Sequence, residues 1–250
     1  MSRIDIIQDA KKCVVFIGLE KEVSNGAIKQ KLLNVVGTGF LVKDEDGVKL
    51  VTAGHVFYQA KKISDTDGAK PFIGVYKGET NKIGNYGTVY IDKERFNVDE
   101  KNDLGVVSVD GIEDKNCFSL DKIKLDNNYQ EGTGCVSLGF PLVNDFLAIG
   151  IGITLFAASS MIASVKSNAE RKDIDFILTD THVNPSSSGS PFFDETTGKV
   201  LGVVAGTFHN NFVGPVATEN KVRAGIQIPR NIGLVRPSYY LKGLLKNNSK

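Results

Sequence analysis

The sequence predicts an all-β protein, and three features of the chain indicate this class. Its 250 residues include 26 glycines, and β-branched residues are frequent. The apolar runs are short, and clusters of Gly, Asn and Asp separate them. Many short strands joined by tight turns produce this pattern, whereas a helical protein would show longer runs with a period near 3.6. The chain is also long enough to bury a large core as one domain or as two small ones.

The first half of the chain opens with a short helix and continues with strand-like runs. Four apolar residues favour a lead-in helix over Ile4–Lys12. Asp46-Gly47 lies between two apolar runs and is a strong hairpin signal. A short helical turn is expected over Val56–Ala60. Strands are predicted at Cys13–Leu19, Leu32–Val36, Gly39–Lys43, Lys49–Ala53, Pro71–Tyr76, Thr88–Phe96 and Leu104–Val109.

The second half follows a segment rich in Asp, Lys and Asn, from Asp110 to Gly132, which has the composition of a linker. Pro237 favours a closing helix over Ser238–Lys246. Strands are predicted at Gly134–Leu138, Leu147–Thr154, Met161–Ser167, Phe176–Thr179, Ser190–Phe193, Val200–Ala205 and Ala224–Ile228.

One stretch also has the length of a membrane span. Phe146–Val165 contains no charged residue over 20 positions, about what a bilayer-crossing helix needs. Its interior glycines and serines, with small and large residues alternating, favour two strands joined by a turn. The sequence therefore predicts no membrane partner.

Composition narrows the function classes. Lys and Arg number 30 against 29 for Asp and Glu, so nothing indicates nucleic acid as a partner. Cys13, Cys117 and Cys135 are widely and irregularly spaced, which predicts neither a disulfide framework nor a zinc site. Met1–Asp5 carries charge where a signal peptide needs an apolar run, which predicts a cytoplasmic location. No metal and no cofactor are expected.

The segment Asn184–Pro191 carries the first candidate for chemistry. Three serines run into a Gly-Ser-Pro turn between two apolar segments. Ser, Gly, Asn and Pro are ordinary turn residues, so a polar surface loop is one interpretation. The other is a nucleophile loop, in which Ser188 attacks a carbonyl and the N–H groups of Ser186 and Ser188 stabilise the oxyanion. A serine nucleophile needs a base, so this hypothesis requires a histidine and a carboxylate elsewhere.

A histidine and a carboxylate are both present upstream of Ser188, each beside a strand-like run. His55 follows Leu50–Ala53, and Asp103 precedes Leu104–Val107. The chain order His, Asp, Ser is that of the chymotrypsin template for the serine triad. Each residue alone also has a plain structural explanation: a buried histidine, a strand-end cap and a solvated serine. The three together, in this order, favour catalysis.

These motifs resemble the trypsin-like serine proteases of the chymotrypsin fold, and most closely the protease domain of the HtrA group. The resemblance spans roughly residues 5–232. It rests on Gly37-Thr38-Gly39-Phe40, Thr52-Ala53-Gly54-His55-Val56, Asp103–Val107, Leu178-Thr179-Asp180, Val183–Pro191 and Ala224–Pro229.

The resemblance implies a double six-stranded β-barrel with short N-terminal and C-terminal helices. The expected N-terminal barrel covers about 13–110, the linker 111–132, the C-terminal barrel 133–230 and the closing helix 237–247. Many relatives carry a peptide-binding PDZ domain, and none is expected here because the sequence ends too early.

The resemblance also implies the role of each site residue. His55 is the expected general base, Asp103 orients its imidazole and Ser188 is the nucleophile. The N–H groups of Ser186 and Ser188 form the expected oxyanion hole. The expected activity is that of a serine endopeptidase acting on polypeptides through an acyl-enzyme intermediate.

Two departures from the family pattern qualify these expectations. Ser186 stands where the family has glycine, and a left-handed backbone costs a residue with a side chain roughly 1 kcal/mol or more. The alternative hypothesis is therefore a catalytically impaired or partner-activated binding module. The second departure is Ser187, directly before the nucleophile, where the family often has Asp or Asn; this argues against activation by a cleaved N-terminus. The primary specificity pocket is expected to involve His182, Val204 and Ala205, and it lacks the acid that cleavage after Lys or Arg requires. His182 is alternatively a packed histidine without substrate contact.

Overall fold

The computed structural model describes residues 2–25, 28–77, 86–167, 173–181, 183–212 and 226–246. Each half of the chain forms its own β structure, and a short helix lies near each end. The all-β class and the two terminal helices are therefore confirmed.

The first half forms an eight-stranded sheet. Its strands are β1 (Val14–Asn25), β2 (Ile28–Asp44), β3 (Gly47–Ala53), β4 (Lys70–Tyr76), β5 (Tyr86–Tyr90), β6 (Asn97–Asp99), β7 (Leu104–Ser108) and β8 (Phe118–Ser119). Seven follow the order β5-β4-β1-β2-β3-β7-β6, and β8 pairs with β2. Seven strands were predicted in this half, and two of them form the single strand β2. The two strands that were not predicted are short, since β6 has three residues and β8 has two.

The second half forms a closed barrel of six strands, as predicted. Around the barrel the order is β10-β11-β14-β13-β12-β9. The strands are β9 (Gly134–Gly139), β10 (Phe156–Ser167), β11 (Ile174–Thr179), β12 (Pro191–Asp194), β13 (Val200–Phe212) and β14 (Ile226–Pro237).

Helices connect and flank these strands. They are α1 (Arg3–Lys11), α2 (Gly54–Asp67), α3 (Val143–Ala148) and α4 (Leu241–Lys246), with 3₁₀ turns at Lys93–Arg95, Asp114–Asn116, Leu120–Lys122 and Ser238–Tyr240. Helix α1 begins with a capping box, in which the Ser2 hydroxyl accepts from the Asp5 N–H and the Asp5 carboxylate accepts from the Ser2 N–H. Its N-terminal boundary is thus encoded in the sequence.

Several predicted boundaries were wrong for local reasons. Leu32–Val36 and Gly39–Lys43 belong to one strand, because Gly37 and Thr38 between them pair with Ile17 and Phe16 of β1, and the bulge at Val36 does not end β2. The expected turn over Val56–Ala60 is part of α2, which has 14 residues. The predicted strand Thr88–Phe96 ends at Tyr90, and a 3₁₀ turn follows.

The predicted strand Leu147–Thr154 does not form. Leu147 lies in α3, and the next strand begins at Phe156. Gly150 and Gly152 have φ values of 77° and 87°, which extended strands do not use. Among the described residues, no helix is long and apolar enough to cross a membrane.

The two halves share an apolar core. The larger buried cluster contains residues of the first sheet together with Val136, Phe140 and Val203 from the second half. The rings of Phe16 on β1 and Phe140 after β9 meet edge to face at 5.5 Å. A smaller cluster, which includes Ile162, fills the closed barrel. This shared core fixes one half against the other beside the candidate site.

Candidate active site

Strand pairing brings His55 and Asp103 together. Ala53 ends β3 and is paired with Leu104, which begins β7. His55 therefore follows one strand at the edge where Asp103 precedes the other. The backbone completes the junction, because the Gly54 N–H donates to the Asp103 carbonyl at 2.9 Å.

The Asp103 carboxylate contacts His55 at two points. Its Oδ1 accepts from the His55 main-chain N–H at 2.8 Å, and its Oδ2 lies 2.9 Å from His55 Nδ1. A carboxylate can only accept, so Nδ1 carries the proton in this pair. In the neutral imidazole this leaves Nε2 unprotonated and able to accept a proton from a nucleophile. The His55 side chain is 44% exposed, so a substrate can reach it.

Asp103 is held in its position by the turn before it. Asn102 donates from its main-chain N–H and its side-chain Nδ2 to the two carboxylate oxygens of Asp99, at 3.0 and 2.6 Å. The backbone of Asp103 itself has φ 50°, a left-handed conformation that Asp tolerates better than most residues. The sequence motif identified Asp103 but not these supports, because Asp and Asn before a strand also occur in ordinary turns.

The Ser188 loop is attached to the first half of the chain. The Thr38 N–H donates to the Ser188 carbonyl at 2.9 Å. A Cβ atom at Gly37 would lie 2.6 Å from Val56 Cγ1 and 3.2 Å from the Ser188 carbonyl oxygen. Gly37 therefore packs between Val56 and the Ser188 loop with no room for a side chain, and this explains the glycine in the Gly37–Phe40 motif.

Gly189 shows how closely the two halves approach. Its φ is 91°, and a Cβ atom there would lie 1.9 Å from the Thr38 carbonyl oxygen. Its N–H donates to the Val204 carbonyl at 2.7 Å. Only glycine fits this backbone and this space. The Ser188 hydroxyl donates to the Ala205 carbonyl at 3.4 Å, and within the described ranges it has no hydrogen bond to His55.

Ser186 adopts the left-handed backbone that its position requires. Its φ is 68°, and the Ser187 N–H closes a turn onto the Asn184 carbonyl at 3.0 Å. A positive φ at the third residue, after proline, is the geometry of a type II turn. The Thr38 hydroxyl supports the turn by donating to the Ser186 carbonyl at 2.8 Å.

The preceding peptide is oriented by Leu142, whose N–H donates to the Pro185 carbonyl at 2.9 Å. In a trans peptide the C=O and N–H point to opposite sides, so the Ser186 N–H faces away from Leu142. Within the part of the chain that the structure describes, the N–H groups of Ser186 and Ser188 donate to no acceptor. Both can therefore donate to a bound oxygen.

The predicted pocket residues differ in what they expose. Val204 is only 2% exposed and packs in the cluster inside the barrel, so its side chain is directed into protein. Ala205 is half-buried and presents its carbonyl to Ser188. His182 lies outside the described residues. Among the described residues, no three His, Cys, Asp or Glu side chains are grouped as metal ligands.

With this geometry described, comparison with known proteins identifies the family. Residues 37–203 match the model of the trypsin-like peptidase domain. The chain belongs to this family. The membership supports a protease function for this trypsin-like peptidase.

Individual relatives agree with the family assignment. A curated protein from Synechocystis, "Putative serine protease HhoA", is 26% identical over 170 residues, which cover 67% of this chain and 36% of the relative. This trypsin-like peptidase thus spans little more than a third of that relative's length.

Two solved structures share the fold. One is an HtrA-type protease AlgW with a decapeptide, which matches 99% of this chain and 67% of its own with a TM-score of 0.62. The other is AlgWS227A with a decapeptide, which matches 100% of this chain and 68% of its own at 0.58. Both are 16% identical to this chain. At that identity the likeness concerns the fold, which agrees with the HtrA resemblance of the motifs.

Proposed function

We propose that this trypsin-like peptidase is a serine endopeptidase with His55 as base, Asp103 as its orienting partner and Ser188 as nucleophile. The observation that carries the proposal is the pairing of Asp103 with His55 Nδ1 at 2.9 Å. This pairing leaves His55 Nε2 as the basic nitrogen. The next residue of the helix, Val56, contacts Gly37, which lies against the Ser188 loop.

The proposed reaction has two acyl-transfer steps. The Ser188 oxygen attacks the scissile carbonyl carbon while His55 Nε2 takes the hydroxyl proton. The carbonyl oxygen becomes an oxyanion, and Asp103 stabilises the imidazolium. The C–N bond then breaks, and His55 returns the proton to the leaving amine. Water repeats the sequence on the acyl-enzyme, releasing the carboxylic acid and free Ser188.

The oxyanion hole in this proposal consists of the N–H groups of Ser186 and Ser188. Loss of one donor of this kind costs about 10²–10³ in kcat in a well-studied serine protease. The hydrogen bond that the Leu142 N–H donates to the Pro185 carbonyl supports the Ser186 donor, because it keeps the peptide from turning its oxygen toward the substrate. Before attack, the Ser188 hydroxyl must break its hydrogen bond to the Ala205 carbonyl. This hydrogen bond is long, at 3.4 Å, so breaking it costs little free energy.

The proposed substrate is an extended polypeptide. The AlgW structures contain a decapeptide, and the shared fold supports the same kind of ligand here. His182, Val204 and Ala205 remain the predicted pocket residues, with Val204 contributing main chain because its side chain is buried. No acid is among the three, so cleavage after Lys or Arg is not expected. The cytoplasmic location and an activating protein partner also remain predictions.

Covalent labelling with a fluorophosphonate probe tests the proposal. Wild-type protein is expected to label, and Ser188→Ala and His55→Ala are expected to lose the label. Ser187→Ala is the matched control, because it removes a neighbouring hydroxyl that makes no hydrogen bond within the described ranges. Equal labelling of the Ser188→Ala variant would contradict the assignment of the nucleophile.

A second candidate is a partner-activated protease, and two observations favour it. Within the described ranges the Ser188 hydroxyl donates to the Ala205 carbonyl and has no hydrogen bond to His55, and Ser186 occupies a strained left-handed conformation. Folded protein that labels only after a partner or peptide is added would favour this alternative. Folded protein that never labels would favour a binding module of the same fold.

A further inference from the structure

A pocket lies where the N-terminal helix, the linker and the barrel meet. It has a volume of about 200 Å³, and it is separate from the residues of the candidate active site. Helix α1 forms one wall, the segment from Lys115 to Lys122 forms another, and Thr197 and Gly198 of the β12–β13 turn close it. The α1 wall is held in place by Ile6 and Ala10, which are buried in the core, and Arg3 also pairs with Glu195 at 3.2 Å.

The pocket has an apolar interior. Ile6, Ala10 and Cys13 line it from the side of α1, and Cys117 and Phe118 line it from the linker. Ile6, Ala10, Cys13 and Phe118 are each less than 9% exposed, so their packing is set by the core beneath them. An apolar group entering this space would leave water without requiring the core to rearrange.

The charged residues that line the pocket are mostly basic. They are Lys12, Lys115 and Lys122, with Asp9 as the one carboxylate among the lining residues that the structure describes. Asp9 is already paired with Lys12 at 3.4 Å. Lys115 pairs with Glu113 on the exposed surface. Lys122 forms no salt bridge within the described ranges and interacts with Asp121 only through the longer-range attraction of their charges, so it is the cation best placed to receive an anion.

We propose that this pocket binds a small carboxylic acid, with its apolar group in the interior and its carboxylate among the three lysines. The charge of the rim selects an anion, and the apolar lining selects a hydrocarbon group over a bare ion. The existing ion pairs of Lys12 and Lys115 do not prevent binding of the carboxylate, because surface salt bridges contribute only about 0–1 kcal/mol and exchange readily.

The volume limits the size of the ligand. Pockets for drug-sized ligands measure about 300–1,000 Å³, whereas a cavity of about 150 Å³ in another protein holds benzene. A pocket of about 200 Å³ therefore fits an apolar group of about six carbons. Hexanoate, with five alkyl carbons beside its carboxylate, is a suitable probe, with 1-hexanol and hexylamine as neutral and cationic counterparts of the same total carbon number.

Titration of the intact protein, followed by amide chemical shifts, tests this proposal. Hexanoate is expected to give saturable shifts at Ala10, Cys117 and Thr197, and to bind at least tenfold more tightly than 1-hexanol or hexylamine. The triple variant Lys12→Gln, Lys115→Gln, Lys122→Gln is expected to weaken binding at least tenfold. Lys122→Gln alone should show most of this loss.

A matched triple variant controls for the change in net charge. Lys21, Lys62 and Lys242 are exposed and lie outside the pocket, so changing all three to Gln should leave hexanoate binding unchanged. Equal binding of 1-hexanol, loss of binding in this control, or no saturable shift at millimolar hexanoate would each overturn the proposal. The result does not depend on peptidase activity, because every readout is binding.

Discussion

The Asp103 carboxylate holds two groups of His55, the main-chain N–H at 2.8 Å and the imidazole Nδ1 at 2.9 Å. Helix α2 begins after Ala53 without a side-chain cap of its own. Asp103 therefore caps this helix from across the sheet and orients the imidazole at the same time. A carboxylate interacts favourably with a helix N-terminus, so the same contact also stabilises the start of α2.

An Asp103→Asn variant should lose most activity while keeping its fold. The amide is nearly isosteric, but it favours the His55 tautomer with the proton on Nε2, which cannot accept the Ser188 proton. We expect kcat to fall by about 10⁴ with little change in KM. Peptide hydrolysis and thermal unfolding, measured on the same samples, separate loss of the base from loss of structure.

The control for this variant is Asp65→Asn, which removes an exposed carboxylate paired with Lys93 near the other end of the same helix. It should retain wild-type activity. A loss of kcat of less than tenfold in Asp103→Asn would show that Asp103 does not set the tautomer of the base.

Gly189→Ala should disrupt the site by direct collision. The new Cβ would lie 1.9 Å from the Thr38 carbonyl oxygen and 2.1 Å from Thr52 Oγ1, on a backbone with φ 91°. The loop must move, so activity and probe labelling should fall at least 100-fold and the unfolding temperature should drop. Gly111→Ala is the matched control, because its φ is 75° and nothing lies within 4 Å of the new methyl group.

The control should cost only about 1–2 kcal/mol of unfolding free energy, the usual penalty for a left-handed residue with a side chain. It should also leave labelling intact. Similar losses in both variants would mean that backbone strain alone, and not the contact between Gly189 and Thr38, governs the loop.

The sequence motifs name the candidate site residues directly, whereas several connecting elements were predicted wrongly. His55, Asp103 and Ser188 lie in short local motifs whose residues serve chemistry or tight packing, so each motif is recognisable without knowledge of the fold. Whether the three act as a triad stays a prediction. Their supports were not predicted, because the bonds from Leu142 to Pro185 and from Thr38 to Ser186 join residues far apart in the chain.

The predicted boundaries of strands and helices were wrong where local features concealed the true backbone conformation. The apolar alternation after Leu147 resembles a strand, but Gly150 and Gly152 adopt positive φ and end the pattern. Helix α2 was predicted too short although Val56, Ala60 and Ser64, one turn apart, are all buried on one face. The polar residues between them concealed this helical period.

Burial of the thiols should make stability depend on alkaline pH. Burial raises the pKa of Cys13 to about 12 and that of Cys135 to about 12, against about 8.5 in an unfolded chain. The unfolded chain therefore releases these protons first, and each thiol's contribution to stability is fully present below about pH 8.5. This contribution is lost as pH rises toward the pKa of the folded state.

Cys13→Ala should accordingly flatten the alkaline loss of stability. Between pH 9 and 11 the wild type should lose up to about 1.4 kcal/mol per pH unit more than the variant, the value for one proton. Urea unfolding across this range measures the difference. Cys117→Ala is the comparison, because the Cys117 thiol is less buried and its pKa rises only to about 11, so its effect should be smaller. Identical pH slopes for wild type and Cys13→Ala would mean that the Cys13 thiol titrates alike in both states.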